Sequence, residues 1–167
     1  TEKQMYITGG VGSQVYGEAF TFNYHLPNDT VYAETCAQIS MVFFAQKMLR
    51  MDVDRKYSDV MERLIYNSTI SGMALDGRHF FYTNPLSVWE EETKKFAAVG
   101  HNRSKRPGWF GCACCPPNLA RMITSLGNYI YSSDEDTVYT HLYIGGEADI
   151  PVGDRTVHLT QTGNYPW

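Results

Sequence analysis

Three cysteines fall within four positions of the stretch GCACCPPN at 111–118, and a fourth, Cys36, stands alone. Clustered thiols are typical of metal or redox sites, and four cysteines are few for a disulfide scaffold of 167 residues. Glu34 lies two residues before Cys36, so the two side chains can converge if a helix begins at Thr35. One carboxylate and three thiolates are enough for a four-coordinate zinc site, and the candidate ligands are Glu34, Cys36, Cys114 and Cys115.

The helices predicted around these cysteines favour ionised sulfur. Thr35, followed three positions later by Gln38, fits a capping box and predicts a buried helix that begins there. The two prolines at 116–117 predict the start of another helix, because proline is tolerated in the first helical turn. Cys36 and the Cys114-Cys115 pair would then face positive helix ends, where thiolates are stabilised.

Three other interpretations remain open for the cysteines. A buried free cysteine accounts for Cys36, viewed alone, about as well as a metal ligand does. Cys112 and Cys115 form a C-x-x-C pair at a helix start, the arrangement of dithiol redox proteins, although no strand-helix-strand pattern surrounds the pair. A structural zinc site that only holds two helix ends together is the third interpretation. Adjacent ligands such as Cys114 and Cys115 are unusual in structural zinc sites, which favours a functional role.

Two glutamates are candidates for further roles. Glu18 lies in GGVGSQVYGEAF between Tyr16 and Phe20, and a carboxyl held among aromatic rings would have a raised pKa, as a general acid requires. Taken alone, Glu18 fits a solvated loop glutamate better. Glu62, on a predicted helix, could face a pocket or could serve as surface charge beside Arg63.

The remaining pattern predicts a mainly α fold with a C-terminal β part. In chain order the predicted elements are loops and extended pieces over 1–34, the helix from Thr35, an amphipathic helix from Asp54 to Ser71, a tight turn at Asp76-Gly77, an irregular region over 85–110, a helix from 116 to near Ser132, and strands over 137–162, the first of them alternating through Ile144. Two or three strands rarely stand alone. The chain is therefore expected to be a fragment, with helices over 1–133 and the start of a β domain over 134–167.

The composition limits the classes of partner. The chain has a formal net charge of -4 and its basic residues are scattered, which argues against a nucleic-acid-binding protein. No apolar run approaches the roughly 18 residues that a membrane span needs. Small-molecule or carbohydrate partners fit the 14% aromatic content better.

Five stretches carry a family resemblance. They are GGVGSQVYGEAF, LPNDTVYAETCAQI, MERLIYN with SGMALDG, FGCACCPPNLAR and NYPW. In this order they resemble successive motifs of the glycoside hydrolase family 127 β-L-arabinofuranosidases, collinear from Tyr6 to Trp167. E-T-C followed about eighty residues later by C-x-C-C-P-P-N is the most specific part of the match.

The resemblance implies a retaining glycosidase with an (α/α)6 barrel followed by β-sandwich domains. It implies that Cys114 is the nucleophile and Glu18 the acid/base, and that Zn2+ is held by Glu34, Cys36, Cys114 and Cys115. It also places Glu62 and Tyr82 among substrate-contacting groups, whereas Cys112 has no assigned role.

The implied partner is an oligosaccharide or glycoconjugate with terminal β-L-arabinofuranosyl residues, or with a related unusual pentose. The intact enzyme is a candidate homodimer, and reduced thiolates fit a cytoplasmic enzyme. Because a barrel of twelve helices does not fit in this chain, the fragment alone is expected to be inactive.

Overall fold

The computed structural model describes residues 2–95 and 101–163. The α-helices in this part are α1 (Thr35–Leu49), α2 (Arg55–Leu64), α3 (Glu90–Lys95), α4 (Cys115–Thr124) and α5 (Gly127–Ile130). The strands are β1 (Tyr131–Ser133), β2 (Val138–Thr140), β3 (Gly146–Val152) and β4 (Arg155–Gln161). The expectation of helices followed by a C-terminal β part is therefore confirmed at this level. No helix among the described residues is long and apolar enough to cross a bilayer.

Helix α1 begins one residue earlier than predicted, because Thr35, the predicted N-cap, is its first helical residue. Its N-cap is Glu34, and Thr35 is already helical, so the predicted capping box is wrong. The Thr35 hydroxyl instead donates to the Phe81 carbonyl at 2.9 Å. The side-chain amide of Gln38 donates to the Ala33 carbonyl at 2.8 Å. Both polar side chains are thereby used to attach the helix start to neighbouring extended chain.

One face of α1 is buried and the other is not. The buried residues recur at helical spacing and are Thr35, Gln38, Ile39, Val42, Ala45, Gln46 and Leu49. This face packs against α2, while Phe44 on the other side is exposed. The prediction of a buried helix therefore holds for one face only.

Helix α2 begins as its sequence predicts and then changes its geometry. The Asp54 carboxylate caps it by accepting from the Lys56 amide at 2.8 Å. The predicted continuous helix to Ser71 is not observed, because α2 is followed by a π-helical turn (Ile65–Thr69) and a 3-10 turn (Ile70–Gly72).

An extended segment at residues 80–84 runs beside the start of α1. It follows the predicted tight turn, in which Gly77 adopts a φ of 68°, a left-handed conformation that glycine tolerates. The Thr35 amide donates to the Tyr82 carbonyl at 2.9 Å, and the Asn84 amide donates to the Ala33 carbonyl at 3.1 Å. These bonds place Tyr82 next to Glu34.

The region predicted as irregular, residues 85–110, contains the short helix α3. Helix α4 begins at Cys115, one residue before the two prolines, and ends at Thr124 rather than near Ser132. The Ser125 amide bonds to the Met122 carbonyl at 3.2 Å, a tightened turn that ends the α-helical ladder before the separate α5.

The β part consists of two antiparallel pairs, β1 with β2 and β3 with β4. The predicted strand through Ile144 ends at Thr140, because its partner strand β1 begins only at Tyr131, directly after the last residue of α5, Ile130. Gly153 forms the β3–β4 turn as predicted, with a φ of 56°.

The chain separates after Arg121 into two compact units. The expected division of functional domains at 133/134 stays a prediction. The NYPW stretch at 164–167 lies outside the described residues.

Candidate functional site

The structure brings together the four ligands proposed from the sequence. One ligand atom from each of Glu34, Cys36, Cys114 and Cys115 lies within 4.8 Å of all the others. The Cys114 sulfur is 3.3 Å from Glu34 Oε1 and 3.8 Å from the Cys115 sulfur. The sulfurs of Cys36 and Cys115 are 3.7 Å apart. We call these four residues the sulfur cluster.

Two helix starts build the sulfur cluster. Glu34 is the N-cap of α1, and its carbonyl accepts from the Gln38 amide at 3.2 Å. Cys114 has the same place before α4, since its carbonyl accepts from the Asn118 amide at 3.3 Å. The ligands therefore lie at the ends of two helices whose free amides and dipoles stabilise negative charge.

The charge balance of the sulfur cluster favours a cation. Burial raises the pKa of the Cys114 thiol to about 12, and a hydrogen bond to Cys36 together with burial raises the pKa of Cys115. The pKa of Cys36 is instead lowered to about 7, chiefly by its hydrogen bond with Cys115. Four acidic groups so close together cannot all ionise without a compensating positive charge.

The donor set fits a metal ion. Glu34 and Cys115 are buried, with 7% and 1% of their surface exposed, while Cys36 and Cys114 are half-buried. Thiolate and carboxylate donors in fours are typical of zinc. A buried group that could hold a metal is therefore present, as the sequence predicts.

Tyr82 is in contact with the proposed nucleophile. Its hydroxyl lies 3.6 Å from the Cys114 sulfur, and its side chain is 5% exposed. Burial raises the pKa of Tyr82, so its hydroxyl stays protonated. His101 stacks on the Tyr82 ring with centroids 4.8 Å apart, and Phe110 packs on it at 5.6 Å. Tyr82 is therefore held in a fixed orientation beside the sulfur.

Glu18 lies in a short loop rather than in the sulfur cluster. The loop is closed by two backbone hydrogen bonds of 3.1 Å between Gln14 and Ala19. Its predicted aromatic surroundings are wrong, since Tyr16 and Phe20 are 88% and 55% exposed and Glu18 is exposed with them. The ring that holds the carboxylate is that of Tyr32, whose hydroxyl donates to Glu18 Oε1 at 2.9 Å.

Two further residues proposed or discussed from the sequence lie apart from these contacts. Glu62 is exposed on α2, and its role in substrate binding stays a prediction. Cys112 is exposed, whereas its predicted redox partner Cys115 is buried among the other ligands. The geometry therefore favours the sulfur cluster over a Cys112-Cys115 pair.

Sequence reasoning missed three aromatic residues around the site, Tyr32, His101 and Phe110. Tyr32 carries a local signal, since it lies two residues before Glu34 in the extended VYAE stretch. His101 and Phe110 lie in the region predicted as irregular, where no helical or strand periodicity predicts which side chains face the core. Their contact with Tyr82 depends on tertiary packing.

Comparison with known proteins agrees with the motifs. The family model described as the β-L-arabinofuranosidase GH127 catalytic domain matches residues 1–128. A non-reducing end β-L-arabinofuranosidase of Bifidobacterium longum subsp. longum is 41% identical over 167 residues, which are 99% of this chain and 25% of the relative.

Solved structures give the same result. A crystal structure of a GH127 β-L-arabinofuranosidase from Geobacillus stearothermophilus T6 is 54% identical, with a TM-score of 0.93, over 100% of this chain and 26% of that one. A GH127 β-arabinofuranosidase is 44% identical, with a TM-score of 0.86, over 99% and 24%. The chain thus spans about a quarter of the length of these relatives. With a family model over most of its residues and this likeness throughout, the chain belongs to glycoside hydrolase family 127.

Proposed function

We propose that the full-length protein is a retaining glycosidase that removes terminal β-L-arabinofuranosyl residues, or a related unusual pentose, from oligosaccharides or glycoconjugates. The observation that carries the proposal is the convergence of Glu34, Cys36, Cys114 and Cys115 at two helix starts, in a chain of family 127. The relatives named above are described as arabinofuranosidases.

This proposal includes the architecture of the whole protein. Helices α1, α2 and α4 would belong to an (α/α)6 barrel, and the β3–β4 pair would open a β-sandwich. The exposed face of α1, with Phe44, supports further packing partners for this helix. The structural likeness to family 127 enzymes supports the same arrangement.

Cys114 and Glu18 have complementary roles in the proposed reaction. The Cys114 thiolate attacks the anomeric carbon, and the C–S bond forms as the C–O bond to the leaving group breaks. Glu18 gives its proton to the departing oxygen and becomes a carboxylate. It then takes a proton from a water, whose oxygen displaces the Cys114 sulfur from the anomeric carbon, so two inversions retain the configuration.

The sulfur cluster would hold Zn2+ through Glu34, Cys36, Cys114 and Cys115. When bound, this ion supplies the positive charge that keeps the cysteines ionised at neutral pH. Tyr82 would orient the Cys114 sulfur through its hydroxyl. We also propose Tyr82 as a substrate contact. Glu62 is proposed as a second substrate contact.

A structural zinc site is the second candidate function. The contact between Cys36 on α1 and Cys115 on α4 favours it, because a metal held there would join two helix starts. The site could then stabilise the fold without any chemistry at Cys114. Homodimerisation, a cytoplasmic location and the lack of nucleic-acid or membrane partners stay predictions from the sequence.

Hydrolysis by the full-length protein tests the proposed function. An aryl β-L-arabinofuranoside should be cleaved with retention, observed by NMR as initial release of the β-anomer. Mass spectrometry of a quenched reaction should find the sugar on the peptide that contains Cys114. A zinc-loaded, folded protein that cleaves neither this glycoside nor the other pentofuranosides would favour the structural candidate.

A further inference from the structure

The exposed Glu18 carboxylate has one hydrogen-bond donor within the described part of the chain, the buried hydroxyl of Tyr32, 2.9 Å from Oε1. The backbone around Glu18 is in the left-handed region, with φ values of 71° at Gly17 and 49° at Glu18. This backbone conformation fixes the direction in which the Glu18 side chain leaves the loop. The carboxyl group of an exposed side chain still rotates about its own side-chain bonds. A fixed donor is needed to hold it.

Tyr32 is such a fixed point. Its side chain is 4% exposed, and its ring meets the rings of Tyr82 and His101 edge-on, each with centroids 6.1 Å apart. The next residue, Ala33, is held on two sides, since its amide donates to Gly12 and its carbonyl accepts from Asn84. The Tyr32 hydroxyl is therefore placed by the core and not by the loop.

We propose that Tyr32 is a positioning residue for the acid/base, which rests on the proposed function. A tyrosine hydroxyl that donates to Oε1 makes this oxygen an acceptor whether the carboxyl is protonated or not. The other oxygen, Oε2, then carries the proton given to the leaving group and later takes the proton of the attacking water. A general acid needs this kind of orientation toward the oxygen that it protonates.

The same contact relates the acid/base to the nucleophile. Tyr32 packs on Tyr82, and Tyr82 contacts the Cys114 sulfur at 3.6 Å. Tyr32, two residues before Glu34, and Tyr82, on the neighbouring extended segment, thus connect the loop of Glu18 with the sulfur cluster. A retaining mechanism needs a constant separation between its two groups, and this packed pair maintains it.

Leaving-group dependence tests the role of Tyr32. In the full-length protein, Tyr32→Phe should lower kcat/KM by about 10- to 100-fold for an alkyl β-L-arabinofuranoside, whose leaving group needs a proton. It should lower kcat/KM by less than about threefold for a dinitrophenyl glycoside, whose leaving group departs without one. Loss of folding or packing would lower both to the same extent.

Tyr6→Phe is the matched control. Tyr6 is also a buried tyrosine, 3% exposed, and its hydroxyl donates to the Pro27 carbonyl at 3.0 Å, so the variant loses one comparable hydrogen bond. Its ratio of activities on the two glycosides should equal that of the wild type.

A double-mutant cycle gives a second measurement. In a Glu18→Gln background, Tyr32→Phe should cause little further loss on the alkyl glycoside, because Tyr32 acts through Glu18. Additive losses, or an equal loss by Tyr32→Phe on both glycosides, would overturn the positioning role while the glycosidase function stands. A wild type inactive on both glycosides would overturn the proposed function, and the role of Tyr32 with it.

Discussion

The sulfur cluster and the loop of Glu18 are built in different ways. The sulfur cluster lies at two helix starts, and Glu34 and Cys115 in it are almost completely buried. Glu18 lies on an exposed loop with left-handed backbone at two successive residues, and among residues 2–95 and 101–163 one hydroxyl, that of Tyr32, holds its carboxylate. The proposed nucleophile Cys114 thus packs directly against the core, whereas the proposed acid/base is attached to the core from outside.

This difference follows from what each group has to do. A thiolate needs fixed neighbours that stabilise its charge, which buried helix starts supply. An acid/base has to exchange protons with leaving group and water, so it needs access to solvent or substrate. The two regions are expected to respond differently to substitution, metal removal and changes in the backbone.

The largest effect is expected at the nucleophile. Cys114→Ala in the full-length protein should reduce kcat by about 10^4-fold or more, because no other group replaces the attacking sulfur. The fold should persist, since the side chain is only half-buried and alanine removes one atom. Steady-state kinetics and the thermal midpoint measure the two properties. Undiminished hydrolysis by this variant would exclude Cys114 as the nucleophile.

A somewhat smaller effect is expected at the acid/base. Glu18→Gln should lower kcat by about 10^2- to 10^4-fold on glycosides with poor leaving groups, and less on activated ones. Its thermal midpoint should stay near that of the wild type, because the side chain is exposed. Kinetics on both kinds of glycoside would distinguish this outcome from a uniform loss, which would argue against the acid role.

Metal removal should destabilise the sulfur cluster but should not change the conformation of the loop that carries Glu18. Elemental analysis is expected to find about one zinc per chain, and chelation should lower the thermal midpoint. Without metal, the pKa of Cys114 is about 12 and that of Cys36 about 7, so both thiols are largely protonated below neutral pH. Protons then compete with the metal, and zinc affinity should fall as the pH is lowered through 7.

Calorimetry in buffers of different ionisation enthalpy measures the protons released on zinc binding. Release of about two to three protons near pH 7 is expected if three cysteines are ligands. No release, or a stoichiometry far below one zinc, would contradict the proposed ligand set. Cys112→Ser is the matched control, because this exposed thiol lies outside the sulfur cluster and its loss should not change zinc affinity.

The smallest effects concern the backbone that supports each region. The Thr35 hydroxyl donates to Phe81 and accepts from Asn84, so Thr35→Val should reduce the free energy of unfolding by about 1 to 3 kcal/mol by leaving buried groups unpaired. Gly17→Ala should cost about 1 kcal/mol, since φ is 71° but the added methyl meets no atom within 4 Å. Urea unfolding measures the free energy of unfolding of both variants. If Gly17→Ala lost more of this free energy than Thr35→Val, the loop of Glu18 and not the start of α1 would be the more sensitive backbone.

Much of the local structure can be predicted from the sequence. The start of α2 near Asp54, the turn at Asp76-Gly77 and the proline-rich start of α4 depend on neighbouring residues, so local patterns identify them. Element ends were less predictable. The Thr35 capping box failed because a hydroxyl from this position found a partner at Phe81, far along the chain.

The sequence by itself determined which residues could form the sulfur cluster, because thiols and a carboxylate beside helix starts are chemically specific. Only the tertiary structure decided that these groups meet, that Glu18 is held by Tyr32, and that His101 and Phe110 enclose Tyr82. Side chains 80 residues apart meet through packing and hydrogen bonds between segments, and no local pattern encodes such contacts.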